Sequence, residues 1–244
     1  MILKRKIATT IILSFILLIN GRFSRAQTSI TGAWHSKEGD DEAVMICKDG
    51  YIVITEFNQV NTQFAYCSGG ACTERKSGQL IVTIDFTTRR KEIGYIGTQK
   101  ALNYSISGDK ISVTLDDSTT RVMTRLDDGL RTLAGVWRLT SPMTNKQPEP
   151  KQADSRQTIK ILSGKRFQWV TFDPEKNEFI GGGGGTYAYT EGKYTESIEC
   201  YAKDSYKIGT SITFDATLDK DAWTIKGKGI EERWSRIESL VGSH

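Results

Sequence analysis

The sequence predicts an all-β protein built from two tandem small antiparallel up-and-down β-barrels, with about eight strands each. Short runs rich in Ile, Val, Thr, Tyr and Phe alternate with turns rich in Gly, Asp and Asn, which is the pattern of consecutive short strands. An internal repeat then divides the chain into two units of similar pattern. A β-sandwich is the alternative fold. We favour barrels because closure removes exposed sheet edges.

Residues 1–26 have the pattern of a secretory signal peptide. Three basic residues precede an apolar run at 7–19, and Ser24 and Ala26 provide the small residues that a cleavage site after Ala26 requires. The run is shorter than the roughly 18–20 residues that a spanning helix needs, so an uncleaved anchor is the less favoured alternative. We therefore predict a secreted or periplasmic protein without a stable membrane span.

The repeat sets the boundary between the two barrels. Gly32-Ala-Trp34 is matched by Gly135-Val-Trp137, and Ile96-Gly-Thr98 is matched by Ile208-Gly-Thr210. These and three further matches follow in the same order in both units, which indicates a duplicated unit. The predicted organisation is a cleaved signal peptide at 1–26, a first barrel at 27–128 and a second barrel at 129–244.

Charge and histidine content exclude two classes of function. The formal net charge is +4, but the leader contributes five of the 33 basic residues, which leaves 28 against 29 acidic residues. A nucleic-acid-binding surface is therefore not predicted. The chain has two histidines, His35 and His244. This excludes a His-rich zinc site, and we predict neither a metal nor a cofactor.

A tryptophan and an arginine recur at the two ends of each unit. A Gly-x-Trp in the first strand of each unit is followed 91 or 99 residues later by an arginine, which pairs Trp34 with Arg125 and Trp137 with Arg236. This pattern resembles the lipocalin-like (calycin) barrels of secreted bacterial proteins. The resemblance implies that each tryptophan lies across the closed end of its barrel, with the arginine packed over the indole.

Differences between the units indicate a site in the second one. Leu80 and Val82 align with Tyr194 and Glu196, on the face that the alternation directs inward. A buried carboxylate is costly unless it is paired or used by a ligand. Both explanations stay open for Glu196, with Arg236 or a tyrosine hydroxyl as the structural partner.

Aromatic residues are also concentrated in the second unit. A cavity lined by tryptophan and tyrosine with a few polar groups suits an apolar or amphipathic ligand, whereas a tighter core is the alternative explanation. The predicted ligand-binding residues are Trp169, Tyr187, Tyr189, Tyr194, Glu196, Phe214, Trp223 and Trp234.

The four cysteines allow three disulfide connectivities in an exported protein. Cys67 and Cys72 could close a small loop at a hairpin tip. Cys47 and Cys200 would then be free, or would tie the two halves together.

These observations favour a binding protein whose second barrel holds a small hydrophobic or amphipathic ligand. The alternative is a non-catalytic interaction module for an envelope protein or glycan. A barrel-based isomerase or lyase is a third hypothesis. It needs an acid–base pair, for which the inward residues offer Glu196, Glu232 and tyrosines.

Overall fold

A computed structural model describes residues 29–114, 119–144, 155–203 and 205–237, with the backbone alone described at 141–144. The predicted signal peptide lies outside the described residues. Among the residues that are described, no helix has the length and hydrophobicity to cross a membrane.

The first unit is an antiparallel barrel of eight strands, as predicted. Strands pair with their neighbours in sequence, and the closing pairs are β1 with β9 and β3 with β4. The two-residue strand β6 adds to the edge of β4, and a short 3-10 helix at Arg90–Tyr95 precedes β7. The strands are β1 Gly32–Glu38, β2 Asp41–Lys48, β3 Tyr51–Asn58, β4 Gln63–Lys76, β5 Gln79–Thr83, β6 Phe86–Thr87, β7 Gln99–Ser107, β8 Lys110–Thr114 and β9 Thr120–Asp127.

The second unit closes in the same way. Its eight strands form a continuous antiparallel ring in which β17 pairs with β10. A 3-10 helix at Ser205–Lys207 occupies the place of the longer one in the first unit. The strands are β10 Gly135–Thr144, β11 Gln157–Leu162, β12 Arg166–Asp173, β13 Glu178–Thr190, β14 Lys193–Tyr201, β15 Ser211–Asp219, β16 Ala222–Gly227 and β17 Ile230–Arg236.

Each barrel has its own core, and a third core lies between the barrels. The third core is formed by apolar side chains on the outer faces of β1–β4 and β10–β14, together with Phe86 of β6. These strands therefore carry buried residues on both faces. The Phe86 ring lies 5.4 Å from that of Phe172 across this interface. Polar contacts border the interface, since the Asp127 carboxylate accepts hydrogen bonds from the backbone of Gly164 and Lys165. The two barrels are therefore joined by an apolar layer of buried side chains.

Candidate functional site

A cavity with an apolar floor lies in the lumen of the first barrel, where the sequence did not predict a site. Its volume is about 310 Å³. The floor is aliphatic because inward positions of β3, β5 and β7 carry branched side chains, which suit a pleated surface. These floor residues are Ile52, Ile54, Val82, Ile84 and Leu102.

Charged side chains surround the mouth of this cavity. The Glu56 carboxylate lies 2.9 Å from the guanidinium of Arg121 and 3.4 Å from that of Arg89. The Arg89 guanidinium also lies 3.8 Å from the centroid of the Tyr66 ring. The Tyr66 hydroxyl donates a hydrogen bond to Glu92 over 3.3 Å. The mouth therefore combines charged groups and a tyrosine hydroxyl above an apolar floor.

The protonation state of this network follows from burial. Burial raises the pKa of Tyr66 to about 12, so its hydroxyl stays protonated and remains a donor at neutral pH. Lys91 and Lys100 also line the cavity, and the Lys100 ammonium lies 3.7 Å from the centroid of the Tyr95 ring. Lys91 and Lys100 therefore add two cationic groups to the polar groups of the mouth.

The second barrel has a smaller cavity at the corresponding end. Strand pairing sets Ile54 opposite Ser68 in the first barrel and Trp169 opposite Gly183 in the second. The indole therefore occupies the position of an isoleucine and lies beside Tyr201, with ring centroids 5.4 Å apart. The remaining cavity measures about 200 Å³.

The glycine run at 181–185 makes room for these contacts. A Cβ on Gly183 would approach the Trp169 Nε1 to 2.9 Å, closer than real Cβ contacts come. At Gly185 a Cβ would overlap the carbonyl oxygen of Ser197 in the next strand. The run therefore allows close approach of side chain and backbone, the usual role of glycine inside a strand.

The lumen of the second barrel contains a buried ion pair. The Lys160 Nζ donates to Glu196 Oε1 over 2.7 Å, and the Tyr194 hydroxyl donates to the same oxygen over 2.8 Å. The two charged side chains are only 5% and 10% exposed. Burial, with the neighbouring Glu196, raises the pKa of Tyr194 well above its ordinary value, so the hydroxyl remains a donor. The Glu196 carboxylate is therefore already held by two donors of the chain itself.

Aromatic rings enclose this pair. The Lys160 ammonium lies 4.6 Å from the centroid of the Trp234 ring and 5.4 Å from that of Trp223. The Trp223 ring in turn lies edge-on to Tyr194 at 4.7 Å and to Trp137 at 5.8 Å. These contacts place the ammonium against the electron-rich faces of rings, which is favourable for a cation removed from water.

The predicted ligand-binding residues fall into two groups. Five lie together in the second lumen, namely Tyr194, Glu196, Phe214, Trp223 and Trp234, with Tyr187 and Tyr189 packed against them. The Tyr187 hydroxyl donates to the backbone oxygen of Ser163 over 2.7 Å. Trp169 also packs against this core, but it differs from the others in lining the smaller cavity.

Sequence reasoning missed Lys160 and the cavity of the first barrel. Lys160 stands between Ile159 and Ile161, so simple alternation directs the isoleucines inward and the lysine outward. The structure has the reverse, because the two isoleucines face the first barrel. The alignment of the two units could have placed Lys160 inside, because it matches Lys160 with Met45, a buried residue of β2. The strand pairing agrees, since Trp34 pairs with Met45 as Trp137 pairs with Lys160.

The tryptophan and arginine pairs lie at the closed ends. The Arg125 guanidinium is 3.9 Å from the Trp34 ring centroid, and that of Arg236 is 4.2 Å from the Trp137 ring centroid. Both indole nitrogens donate to a backbone oxygen four residues earlier in the chain. Each closed end is thus sealed by one buried indole and one arginine.

The proposed disulfide between Cys67 and Cys72 is wrong. Both residues belong to the single strand β4 rather than to a hairpin tip. The structure has all four cysteines in the reduced form, and it is the strand geometry that excludes this bond. Residues five apart in a strand point to opposite faces and lie roughly 16 Å apart, beyond the reach of a disulfide. Cys72 faces the first lumen, whereas Cys67 faces the second barrel.

Comparison with known proteins identifies a related domain in the second half. The sequence profile of a family described as a domain of unknown function (DUF4488) matches residues 132–242, which contain the whole second barrel. No curated protein matches the chain.

Two solved structures of DNA sliding clamps are similar at a low level. The Helicobacter pylori beta clamp bound to a DNA ligase peptide has 9% identity and a TM-score of 0.16, and covers 89% of this chain and 61% of its own. The Pseudomonas aeruginosa DNA polymerase sliding clamp with ligand has 6% identity, a TM-score of 0.16, and coverage of 88% and 58%. The chain thus spans about three fifths of the length of these clamps. At these scores the likeness carries no argument about fold or function.

Two closed antiparallel barrels, one with a luminal cavity under a charged mouth, fit a small-ligand-binding or interaction module.

Proposed function

We propose that the protein binds a small amphipathic ligand and that the lumen of the first barrel holds it. The observation that carries this proposal is the cavity of about 310 Å³ with an aliphatic floor and a charged mouth. Ligand sites in proteins are mostly apolar concavities with a few placed polar groups, and this volume is at the small end of their range.

The two halves of the cavity would contact different parts of the ligand. Ile54, Val82 and Leu102 would take the apolar part out of water. The polar end would lie at the mouth, where Arg89 and Lys91 offer donors. These donors suit an anionic or hydroxylated end group better than a cationic one.

The second lumen is the alternative location, as the sequence predicts. A ligand there would have to compete with Lys160 and Tyr194 for the Glu196 carboxylate. In the first lumen the floor residues that the structure describes are aliphatic, so the apolar part of a ligand would displace no ion pair there. We therefore assign the ligand to the first barrel. The experiment must distinguish binding in this lumen from binding in the second.

Export and a lipocalin-like character belong to the same proposal. The leader supports cleavage after Ala26 and a secreted or periplasmic location. Closed ends sealed by Trp34 with Arg125 and by Trp137 with Arg236 support a lipocalin-like barrel.

The test is fluorescence titration with 8-anilinonaphthalene-1-sulfonate, an amphipathic anion. Ile54→Trp installs the residue that stands at the equivalent position of the second barrel and fills the first cavity. We expect it to weaken probe binding at least about tenfold, which corresponds to about 1.4 kcal/mol. Trp169→Phe, at the corresponding site of the second barrel, is the matched control and should leave affinity unchanged.

Two outcomes would contradict the proposal. If Ile54→Trp binds the probe normally while Trp169→Phe or Glu196→Gln abolishes binding, the ligand site is in the second barrel. If the wild-type protein fails to bind the probe, or if it binds and neither Ile54→Trp nor Glu196→Gln changes its affinity, ligand binding in a lumen is not supported. Thermal unfolding of each variant establishes that lost binding does not reflect lost folding.

A further inference from the structure

The four cysteines fall into two groups that lie on opposite sides of one sheet. Cys47 and Cys72 belong to the core inside the first barrel. Cys67 and Cys200 belong to the core between the two barrels. The wall of the first barrel separates the groups, because neighbouring positions of a strand point to opposite faces. Only one of the three connectivities keeps each thiol with a partner on its own side.

Contacts on the inner side bring the first pair together. The backbone N–H of Cys72 donates to the carbonyl oxygen of Gly50 over 2.7 Å, which holds β4 against the turn that follows Cys47 in β2. Interaction with the Cys72 thiol is the first cause, and burial the second, of the raised pKa of the Cys47 thiol. Both side chains therefore point into the same core beside the same turn.

The second pair faces across the interface between the barrels. Cys67 lies on the outer face of β4 and Cys200 on the outer face of β14, and these two strands pack against each other. Both thiols are fully buried in the same apolar layer. Burial raises the pKa of Cys200 above its ordinary range, with the nearby Cys67 as the next cause.

We propose that the oxidised protein contains two disulfides, Cys47–Cys72 within the first barrel and Cys67–Cys200 between the barrels. The second bond would link the two barrels covalently, independently of whether either binds a ligand. Each bond forms when two thiols lose two protons and two electrons to an external disulfide such as oxidised glutathione. That disulfide is reduced to two thiols, which balances the exchange.

The bonds must form before the barrels close. Burial raises the pKa of Cys67 to about 12, so the folded protein offers almost no thiolate, which is the reactive species. The experiment therefore oxidises the chain during folding rather than afterwards.

The experiment uses the full chain, which is unfolded, reduced and refolded in a mixture of reduced and oxidised glutathione. Remaining thiols are alkylated in denaturant, and the protein is digested without reduction and analysed by mass spectrometry. We expect no alkylation and a mass about 4 Da below that of the reduced chain. Cys67 and Cys72 share one tryptic peptide, residues 49–75. Fragmentation between them is needed to assign each linkage.

The variant Cys67→Ser tests whether the wall of the first barrel keeps the two pairs of cysteines apart. We expect it to keep the Cys47–Cys72 bond and to leave Cys200 as one alkylated thiol. A bond from Cys200 to Cys47 or Cys72 in this variant would contradict the separation by the barrel wall. In the unmodified chain, fewer than two disulfides or any other linkage overturns the proposal.

Discussion

The two barrels share one backbone plan but have opposite interiors. The first lumen places Met45 and Val82 where the second places Lys160 and Glu196, at equivalent positions of the strand pairing. The first interior is aliphatic, and the second holds an ion pair within a shell of aromatic rings. The eight-stranded ring closes around either set. The difference teaches that the fold does not dictate the polarity of its lumen.

The mouths of the two barrels differ in which strand carries the large aromatic side chain. In the first barrel Ile54 stands beside Tyr66 and Ser68, whereas in the second Trp169 stands beside glycines. In the second barrel the large ring lies on β12 and covers the lumen. The cavity there measures about 200 Å³, whereas that of the first barrel measures about 310 Å³. A duplicated fold can therefore keep one open lumen and fill the other.

The largest expected effect comes from breaking the ion pair of the second lumen. Lys160→Met installs the residue of the first barrel and leaves the Glu196 carboxylate buried without its cation. We expect the free energy of unfolding to fall by about 3–5 kcal/mol, since an uncompensated buried charge is strongly destabilising. Urea denaturation followed by tryptophan fluorescence measures this.

The matched control completes the exchange. Lys160→Met combined with Glu196→Val gives the second lumen both residues of the first. Because replacement of a whole buried ion pair by apolar residues is often neutral or stabilising, we expect the double variant to recover the wild-type free energy of unfolding or exceed it. A double variant as unstable as Lys160→Met would show that the pair itself is required for this barrel to fold.

An effect of intermediate size is expected within the glycine run. Gly185→Ala, like Gly70→Ala at the equivalent place in the first barrel, would drive a methyl group into a carbonyl oxygen of the next strand. We expect each to lower the free energy of unfolding by about 3 kcal/mol, the upper end of overpacking costs. At Gly181 the nearest atom is 3.7 Å from an added Cβ, so Gly181→Ala should change stability by less than about 1 kcal/mol. Equal effects at Gly185 and Gly181 would show that close approach is not the reason for the run.

The smallest effect concerns two equivalent carboxylates, one in the wall of each barrel. The Asp85 carboxylate accepts a hydrogen bond from the Tyr51 hydroxyl over 2.8 Å, whereas Glu199 in the second barrel accepts one from the Arg166 guanidinium over 3.0 Å. Burial raises the pKa of Asp85 above its ordinary value. Asp85 therefore binds its proton more tightly in the folded state, and the stability it contributes is lost as pH rises through its raised pKa.

Asp85→Asn removes this titration and keeps an acceptor for Tyr51. We expect the variant to gain stability relative to the wild type as pH rises from 3 to 7, with no gain at the acid end. Chemical denaturation at a series of pH values measures the difference. A gain that is constant with pH would mean that ionisation of Asp85 does not oppose folding.

The sequence alone determined the fold class and the duplication. Strand-length runs and turn residues indicated antiparallel β-structure, and five ordered matches indicated two equivalent units, both of which the structure confirms. These features are readable because strand alternation and turn chemistry are local properties of the chain. The alignment of the units also directed Glu196 inward, where the structure has it buried.

Only the tertiary structure decided which face of a strand is inside and which cysteines are neighbours. In β11 both Ile159 and Lys160 are buried, one against the other barrel and one in the lumen, so hydrophobicity could not distinguish the faces. Likewise, Cys67 and Cys72 are close in sequence but separated by the sheet. The physical reason is that part of the outer face of each barrel is buried by its partner. The alternation of polar and apolar residues that marks a barrel with a solvated exterior is therefore lost at this interface.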